Sequence, residues 1–108
     1  MTVAIDYDDT ITAAPDMWRD IIRTMRAHGS EVYIVTSRNT PGEIREWGSE
    51  VDGIVCTGQK AKQDEFDADI WIEDDPLIVT HDFSGMYYTP GKKSDDLIKK
   101  EQNGIRII

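Results

Sequence analysis

The sequence predicts a single α/β domain in which a mainly parallel sheet carries helices on both faces. Short apolar, β-prone segments alternate with segments of helical periodicity from residue 2 to residue 76, and this rhythm is typical of strand–helix–strand units. The length of 108 residues also suits one hydrophobic core. Right-handed crossovers would gather the carboxyl ends of the strands at one edge of the sheet, where ligands bind in such folds.

The strands are predicted from continuous apolar runs, as expected for strands buried on both faces. These runs cover residues 2–5, 32–35, 54–56 and 70–72. The first helix, residues 15–28, has Pro15 in its first turn, apolar side chains at helical spacing and a stop at Gly29. A second helix, residues 40–48, is predicted from the capping-box spacing of Thr40 and Glu43. Residues 60–66 are predicted to form a short polar helix.

The pattern after Pro76 leaves two alternatives for a fifth strand. Residues 86–88 and residues 105–108 are both apolar enough to supply it. Residues 94–101 are predicted to form a helix that ends at Asn103 and Gly104.

Composition excludes several classes of protein. No apolar run approaches the roughly 18 residues of a membrane span, and the first residues lack the basic stretch of a secretory signal. The lone Cys56 cannot form an intramolecular disulfide, which fits a cytoplasmic location. With 21 acidic and 12 basic side chains the net charge is −9, which argues against binding long nucleic acid through a basic face. A small phosphorylated substrate remains compatible if a divalent cation offsets the charge.

Polar side chains follow three of the predicted strands, so they should meet at one edge of the sheet. Clustered carboxylates repel one another unless a proton, a basic partner or a divalent cation intervenes. Oxygen ligands of this kind favour Mg²⁺. The residues are Asp6, Asp8 and Asp9 after the first strand, Thr36, Ser37 and Arg38 after the second, and Glu73, Asp74 and Asp75 after the fourth.

This set of residues suits phosphoryl transfer. A carboxylate such as Asp6 can attack phosphorus to form an aspartyl phosphate. A second carboxylate two residues along the chain, Asp8, can protonate the leaving oxygen and then activate water. A hydroxyl and a lysine would hold the phosphoryl oxygens, and Thr36 and Lys60 are candidates.

Four segments resemble, in order, the four motifs of the haloacid dehalogenase superfamily. VAIDYDDTI, residues 3–11, is similar to the first motif, an apolar run followed by D-x-D-x-T or V. The apolar run into Thr36, with Arg38 two residues later, resembles the second. Lys60, followed six residues on by Phe66, resembles the third, and IWIEDDP, residues 70–76, the fourth.

The resemblance implies a Rossmann-like, three-layer hydrolase domain over residues 1–108 that is a Mg²⁺-dependent phosphatase. Asp6 would be the nucleophile and a metal ligand, and Asp8 the general acid/base with its backbone carbonyl on the metal. Thr36 would bind the transferring phosphoryl group, and Lys60 would neutralise the charge of that group and of Asp6. Asp74 would be the third metal ligand. The presence of Asp8 favours phosphate esters, because relatives that cleave carbon–halogen bonds lack this aspartate.

Two assignments stay open at this level. Lys62 lies on the same segment as Lys60, although the spacing to Phe66 favours Lys60. Glu73 stands where relatives often carry Asp or Gly, so either Glu73 or Asp74 contacts the metal. The predicted substrate-binding residues are Thr36, Ser37, Arg38 and Lys62.

The chain also lacks the segments in which relatives carry a cap domain. Only residues 11–14 separate the first motif from the first helix, and a short link follows the third strand. The expected substrate is a phosphorylated molecule, small or macromolecular. An open site predicts that the protein oligomerises and a second copy covers the site, or that the substrate is large enough to cover the site itself.

Two other functions fit parts of the pattern. A catalytically silent Mg²⁺-binding or interaction module would keep the same fold. A phospho-accepting receiver domain would share the acidic pair Asp8 and Asp9, but it needs an aspartate at the end of the third strand, where this chain has Cys56 and Thr57.

Overall fold

The computed structural model describes residues 1–84, in which strands and helices alternate as predicted. We number four strands and three α-helices in chain order; a short 3₁₀ helix precedes β3. The elements are β1 (Thr2–Ile5), α1 (Pro15–Ala27), β2 (Glu31–Thr36), the 3₁₀ helix (Gly42–Trp47), β3 (Gly53–Cys56), α2 (Lys62–Glu65), β4 (Ile70–Ile72) and α3 (Leu77–Thr80).

The four strands form one sheet in the order β3-β2-β1-β4, and every neighbouring pair is parallel. Val3 of β1 pairs with Val32 on one side and with Ile70 on the other. The prediction of a mainly parallel central sheet is confirmed.

Side chains alternate between the two faces of the sheet, and each face has its own apolar cluster. The first cluster joins the sheet to α1 and the 3₁₀ helix, and the second joins it to α3 and to the segment that follows α2. Members of the first are Val3, Ile5, Ile34, Ile22 and Trp47. Members of the second are Ala4, Val35, Trp71 and Val79, against which the partly buried Phe66 packs. The layer above the sheet and the layer below it complete the predicted three-layer architecture.

Several predicted boundaries need correction. The helix predicted at 40–48 is a 3₁₀ helix over Gly42–Trp47 without a side-chain cap, and the Glu43 carboxylate bonds the guanidinium group of Arg38. The helix predicted at 60–66 is shorter, since only Lys62–Glu65 is helical. Helix α3 was not predicted. The fifth strand and the helix at 94–101 lie outside the described residues.

The order of the strands positions the site. The chain moves outward from β1 through β2 to β3, and then returns to place β4 on the opposite side of β1. Such a reversal leaves a crevice at the carboxyl ends of β1 and β4, between which the direction of the connections changes. The Asp6 N–H donates to the Ile72 carbonyl oxygen at 2.9 Å, so Asp6 and Glu73 enter this crevice side by side.

No cap domain interrupts this edge within residues 1–84, since residues 12–14 alone connect the loop Tyr7–Ile11 to α1 and residues 57–61 connect β3 to α2. In the same part of the chain, no helix combines the length and the apolar character needed to cross a membrane.

Candidate metal and phosphoryl-transfer site

Three carboxylates converge where β1 and β4 end. Asp6, Glu73 and Asp74 each offer one oxygen, and these oxygens lie within 4.8 Å of one another. Asp6 and Glu73 are buried, whereas Asp74 is exposed to solvent. The cluster therefore has a buried floor and one ligand that faces the opening.

Lys62 forms the base of the cluster. Its ammonium Nζ lies 2.8 Å from Asp6 Oδ1 and 2.5 Å from Glu73 Oε1, and its side chain has no exposed surface. Burial alone would lower the pKa of Lys62, but the charges of Asp6 and Glu73 outweigh burial and raise the pKa. The lysine therefore stays protonated between the two carboxylates.

The pKa values of Glu73 and Asp74 are both raised, with burial as the main cause and the neighbouring Asp6 as a further one. Burial, reinforced by the charge of Asp6 and opposed by Lys62, raises the pKa of Glu73 to about 10. Desolvation of the face toward Asp6, together with hydrogen bonding to Asp6, raises the pKa of Asp74 to about 7 although Asp74 is otherwise exposed. Both shifts mark a site where a further positive charge would be favourable.

Thr10 links the two halves of the cluster. Its hydroxyl Oγ1 lies 3.4 Å from Asp6 Oδ2 and 3.4 Å from Asp74 Oδ1. Because a hydroxyl carries one hydrogen, it can donate to only one of these carboxylates at a time. Sequence reasoning gave Thr10 no role, although its place as the threonine of D-x-D-x-T was a usable signal.

The donor set fits Mg²⁺. Three carboxyl groups share one ammonium group, and the raised pKa values of Glu73 and Asp74 favour protons there that a bound cation would replace. Every donor is an oxygen, as hard cations require. Of the two acids left open by the sequence, Glu73 is engaged with Lys62 and with the Asp75 N–H, whereas Asp74 faces solvent. Asp74 is thus the more accessible ligand.

Asp8 lies apart from this cluster, at the rim of the crevice. Both of its carboxylate oxygens accept hydrogen bonds from Arg38, at 2.9 Å from Nε and 2.7 Å from Nη2. Arg38 also donates to both oxygens of Glu43, at 2.8 and 2.9 Å. Glu43 lies only five residues after Arg38, but the capping-box spacing paired Glu43 with Thr40 and so concealed this partner.

The residues after β2 lie at the same edge of the sheet. Thr36 is almost fully buried, and its hydroxyl accepts a hydrogen bond from the Arg38 N–H at 3.3 Å. Ser37 is half-buried, and its carbonyl accepts the Gln59 N–H at 2.9 Å. This second contact ties the loop after β2 to the loop after β3.

The lysine that contacts Asp6 is Lys62 and not Lys60, which the spacing to Phe66 favours. Lys60 is exposed on the surface, whereas Lys62 is the lysine whose ammonium group contacts Asp6. The physical reason is the late start of α2: Lys60 precedes the helix, and Lys62, its first residue, turns inward.

Comparison with known proteins finds no relative: no protein-family model, no curated protein and no solved structure matches the chain. The resemblance to the haloacid dehalogenase superfamily therefore rests on the four motifs alone.

Proposed function

We propose that the protein is a Mg²⁺-dependent phosphatase of the haloacid dehalogenase type, which hydrolyses phosphate monoesters. One observation carries the proposal: Asp6 is buried against Lys62, with Glu73 and Asp74 beside it, at the carboxyl edge of a parallel sheet. A carboxylate held in this way suits the role of nucleophile, because a fixed ammonium group matches its charge. The neighbouring carboxyl groups of Glu73 and Asp74 offer oxygen ligands to a cation.

In the proposed reaction Asp6 attacks phosphorus. A bond forms between its carboxylate oxygen and phosphorus, the bond from phosphorus to the ester oxygen breaks, and Asp8 gives its proton to the leaving oxygen. Water then attacks the phosphorus of the aspartyl phosphate while Asp8 takes a proton from it. The bond to Asp6 breaks, and inorganic phosphate leaves.

Other residues hold charge during these steps. Lys62 neutralises Asp6, and the Thr36 hydroxyl is the candidate donor to the phosphoryl oxygens. Asp6, Asp74 and the backbone carbonyl of Asp8 would hold Mg²⁺. When bound, this ion supplies electrostatic stabilisation of the charge on the phosphoryl group.

A catalytically silent metal-binding module is the second candidate, and a specific contact favours it. Arg38 occupies both oxygens of Asp8, so Asp8 must leave this pair before it can carry a proton. A protein that never releases Asp8 would bind Mg²⁺ without turnover.

The substrate class follows from charge and access. The net charge of −9 argues against long nucleic acid, and the open edge admits a small or a macromolecular phosphate ester. We propose that either the substrate or a second copy of the chain covers the site, and that the protein acts in the cytoplasm, where the lone Cys56 stays reduced.

Phosphate release from a panel of phosphomonoesters tests the proposal. Asp6→Asn removes the nucleophile, and Asp20→Asn makes the same change at an exposed position on α1. We expect release that requires Mg²⁺, stops with chelator, falls on the order of 10⁴-fold in Asp6→Asn and persists in Asp20→Asn. Mg²⁺ binding without release from any ester would favour the silent module, and unchanged release by Asp6→Asn would contradict the mechanism.

A further inference from the structure

The guanidinium group of Arg38 is shared between two carboxylates at the rim of the crevice. Nε and Nη2 bond the two oxygens of Asp8, while Nη1 and Nη2 bond the two oxygens of Glu43. These four bonds use four of the five N–H groups that a guanidinium carries. Its central carbon lies 5.4 Å from the centre of the Tyr7 ring. Arg38 is therefore fixed in position by three neighbours.

Solvent reaches every member of this group. The exposed fraction is 29% for the Arg38 side chain, 40% for Asp8 and 56% for Glu43. Dissolved anions can reach the N–H groups of Arg38, although its pairs with Asp8 and Glu43 are bidentate. An anion that enters from solvent can therefore compete with either carboxylate.

A phosphoryl group is well matched to such a competition. Phosphate oxygens accept the same two parallel N–H bonds from arginine as a carboxylate does. Two described cations contact the acids of the site, and Lys62 is enclosed with no exposed surface. Of these two cations, Arg38 is therefore the one that an entering oxyanion contacts first.

We propose that Arg38 binds an oxyanion, and that in the substrate-free protein the Asp8 carboxylate occupies the place on Arg38 that this oxyanion takes. A phosphoryl oxyanion takes over the two hydrogen bonds that Arg38 gives to Asp8, and Asp8 is released toward the crevice. Glu43 keeps its own two bonds and holds the guanidinium at the rim in both arrangements. The inference extends the proposed function, because Asp8 must leave Arg38 before it can act as an acid or a base. The exchange of phosphate for Asp8 on Arg38 is itself a binding event, separate from turnover.

Binding of inorganic phosphate to the full chain, measured by calorimetry with Mg²⁺ present, tests the exchange. Asp8→Asn removes the competitor, and Asp9→Asn removes the same charge from the adjacent exposed residue, for which asparagine suits the backbone φ of 63°. We expect Asp8→Asn to bind phosphate at least about fivefold more tightly than Asp9→Asn. In an Arg38→Met background the two substitutions should have equal effects.

A second measurement reports on Arg38 itself. The Nε–Hε resonance of Arg38, assigned by its loss in Arg38→Met, should shift when phosphate is added to the wild-type protein. A shift is expected because the hydrogen-bond acceptor of Nε changes from Asp8 to phosphate. A purely structural ion pair would leave this resonance in place.

Three results would overturn the inference: equal phosphate affinities of Asp8→Asn and Asp9→Asn, an unmoved Nε–Hε resonance at saturating phosphate, or no phosphate binding by any variant. Failure of the proposed function looks different. In that case no ester is hydrolysed, while the fivefold difference between Asp8→Asn and Asp9→Asn and the Arg38 shift are still observed.

Discussion

At the scale of single residues, the ammonium group of Lys62 is bonded to Asp6 and Glu73 and is shielded from solvent. Lys62→Met would leave two buried carboxylates without their cation, which typically costs roughly 3–5 kcal/mol. We expect that loss in the free energy of unfolding, measured by urea denaturation without metal. Lys60→Met is the matched control, because Lys60 is exposed, and it should change stability by no more than about 0.5 kcal/mol. Equal losses in the two variants would contradict the assignment.

The choice between these lysines also shows what local sequence can resolve. Lys60 was favoured because of its six-residue spacing to Phe66, but helical neighbours are three or four residues apart. Lys62 is four residues from Phe66, and Phe66 packs on the sheet. That spacing was a signal for Lys62. The partners of Lys62, in contrast, lie 56 and 11 residues away, so only the folded chain reveals them.

Glu43 provides a prediction about pH. Hydrogen bonds from Arg38 hold the pKa of Glu43 at about 2, below its ordinary 4.5. Because the folded-state pKa is the lower one, ionised Glu43 favours the folded state above pH 4.5, and this contribution is lost as the pH falls toward 2.

The test is a carbon NMR titration of the Glu43 carboxyl group. Arg38→Met should return the pKa of Glu43 to its ordinary range. Arg45→Met, an exposed arginine on the same 3₁₀ helix, should leave the titration as it is in the wild type. A midpoint in Arg38→Met that stays near 2 would mean that Arg38 is not the cause.

At the scale of elements, the four strands followed from sequence because each is an apolar run that must be buried on both faces. Boundaries differed by one or two residues, as at β2, which spans Glu31–Thr36. The predicted capping box is absent because Arg38, five residues before Glu43, bonds the Glu43 carboxylate. Helix α3 escaped prediction because its apolar residues, Leu77 to Val79, are equally typical of a strand, although Pro76 before them was a usable helix signal.

Helix α1 is held to the sheet by its apolar face, and this gives a prediction at the same scale. Ile22 is fully buried within the first cluster, so Ile22→Ala should lower the free energy of unfolding by about 2–5 kcal/mol. Met17→Ala changes a residue of the same helix that is 49% exposed, and its effect should stay near 0.5 kcal/mol. Urea denaturation of both variants measures these changes in the free energy of unfolding. Similar losses of free energy in the two variants would mean that α1 is not anchored through Ile22.

At the scale of the whole molecule, the cluster of three carboxyl groups, two of them with raised pKa values, predicts that Mg²⁺ stabilises the fold. A ligand that binds only the folded state at 100 times its dissociation constant contributes about 2.7 kcal/mol. We expect the melting temperature to rise with Mg²⁺ and to fall back with chelator. Asp74→Asn should weaken the rise, and the surface variant Asp20→Asn should keep it. A melting temperature that is independent of Mg²⁺ would rule out the proposed metal site.

The central claim is that Asp6 carries the phosphoryl group during turnover. The most direct measurement is acid quenching of the protein during incubation with Mg²⁺ and a hydrolysed phosphomonoester, followed by mass spectrometry of its peptides. We predict one added phosphoryl group on the peptide that contains Asp6, and none in Asp6→Asn. Turnover without phosphorylation of Asp6, or phosphorylation at another residue, would contradict the account.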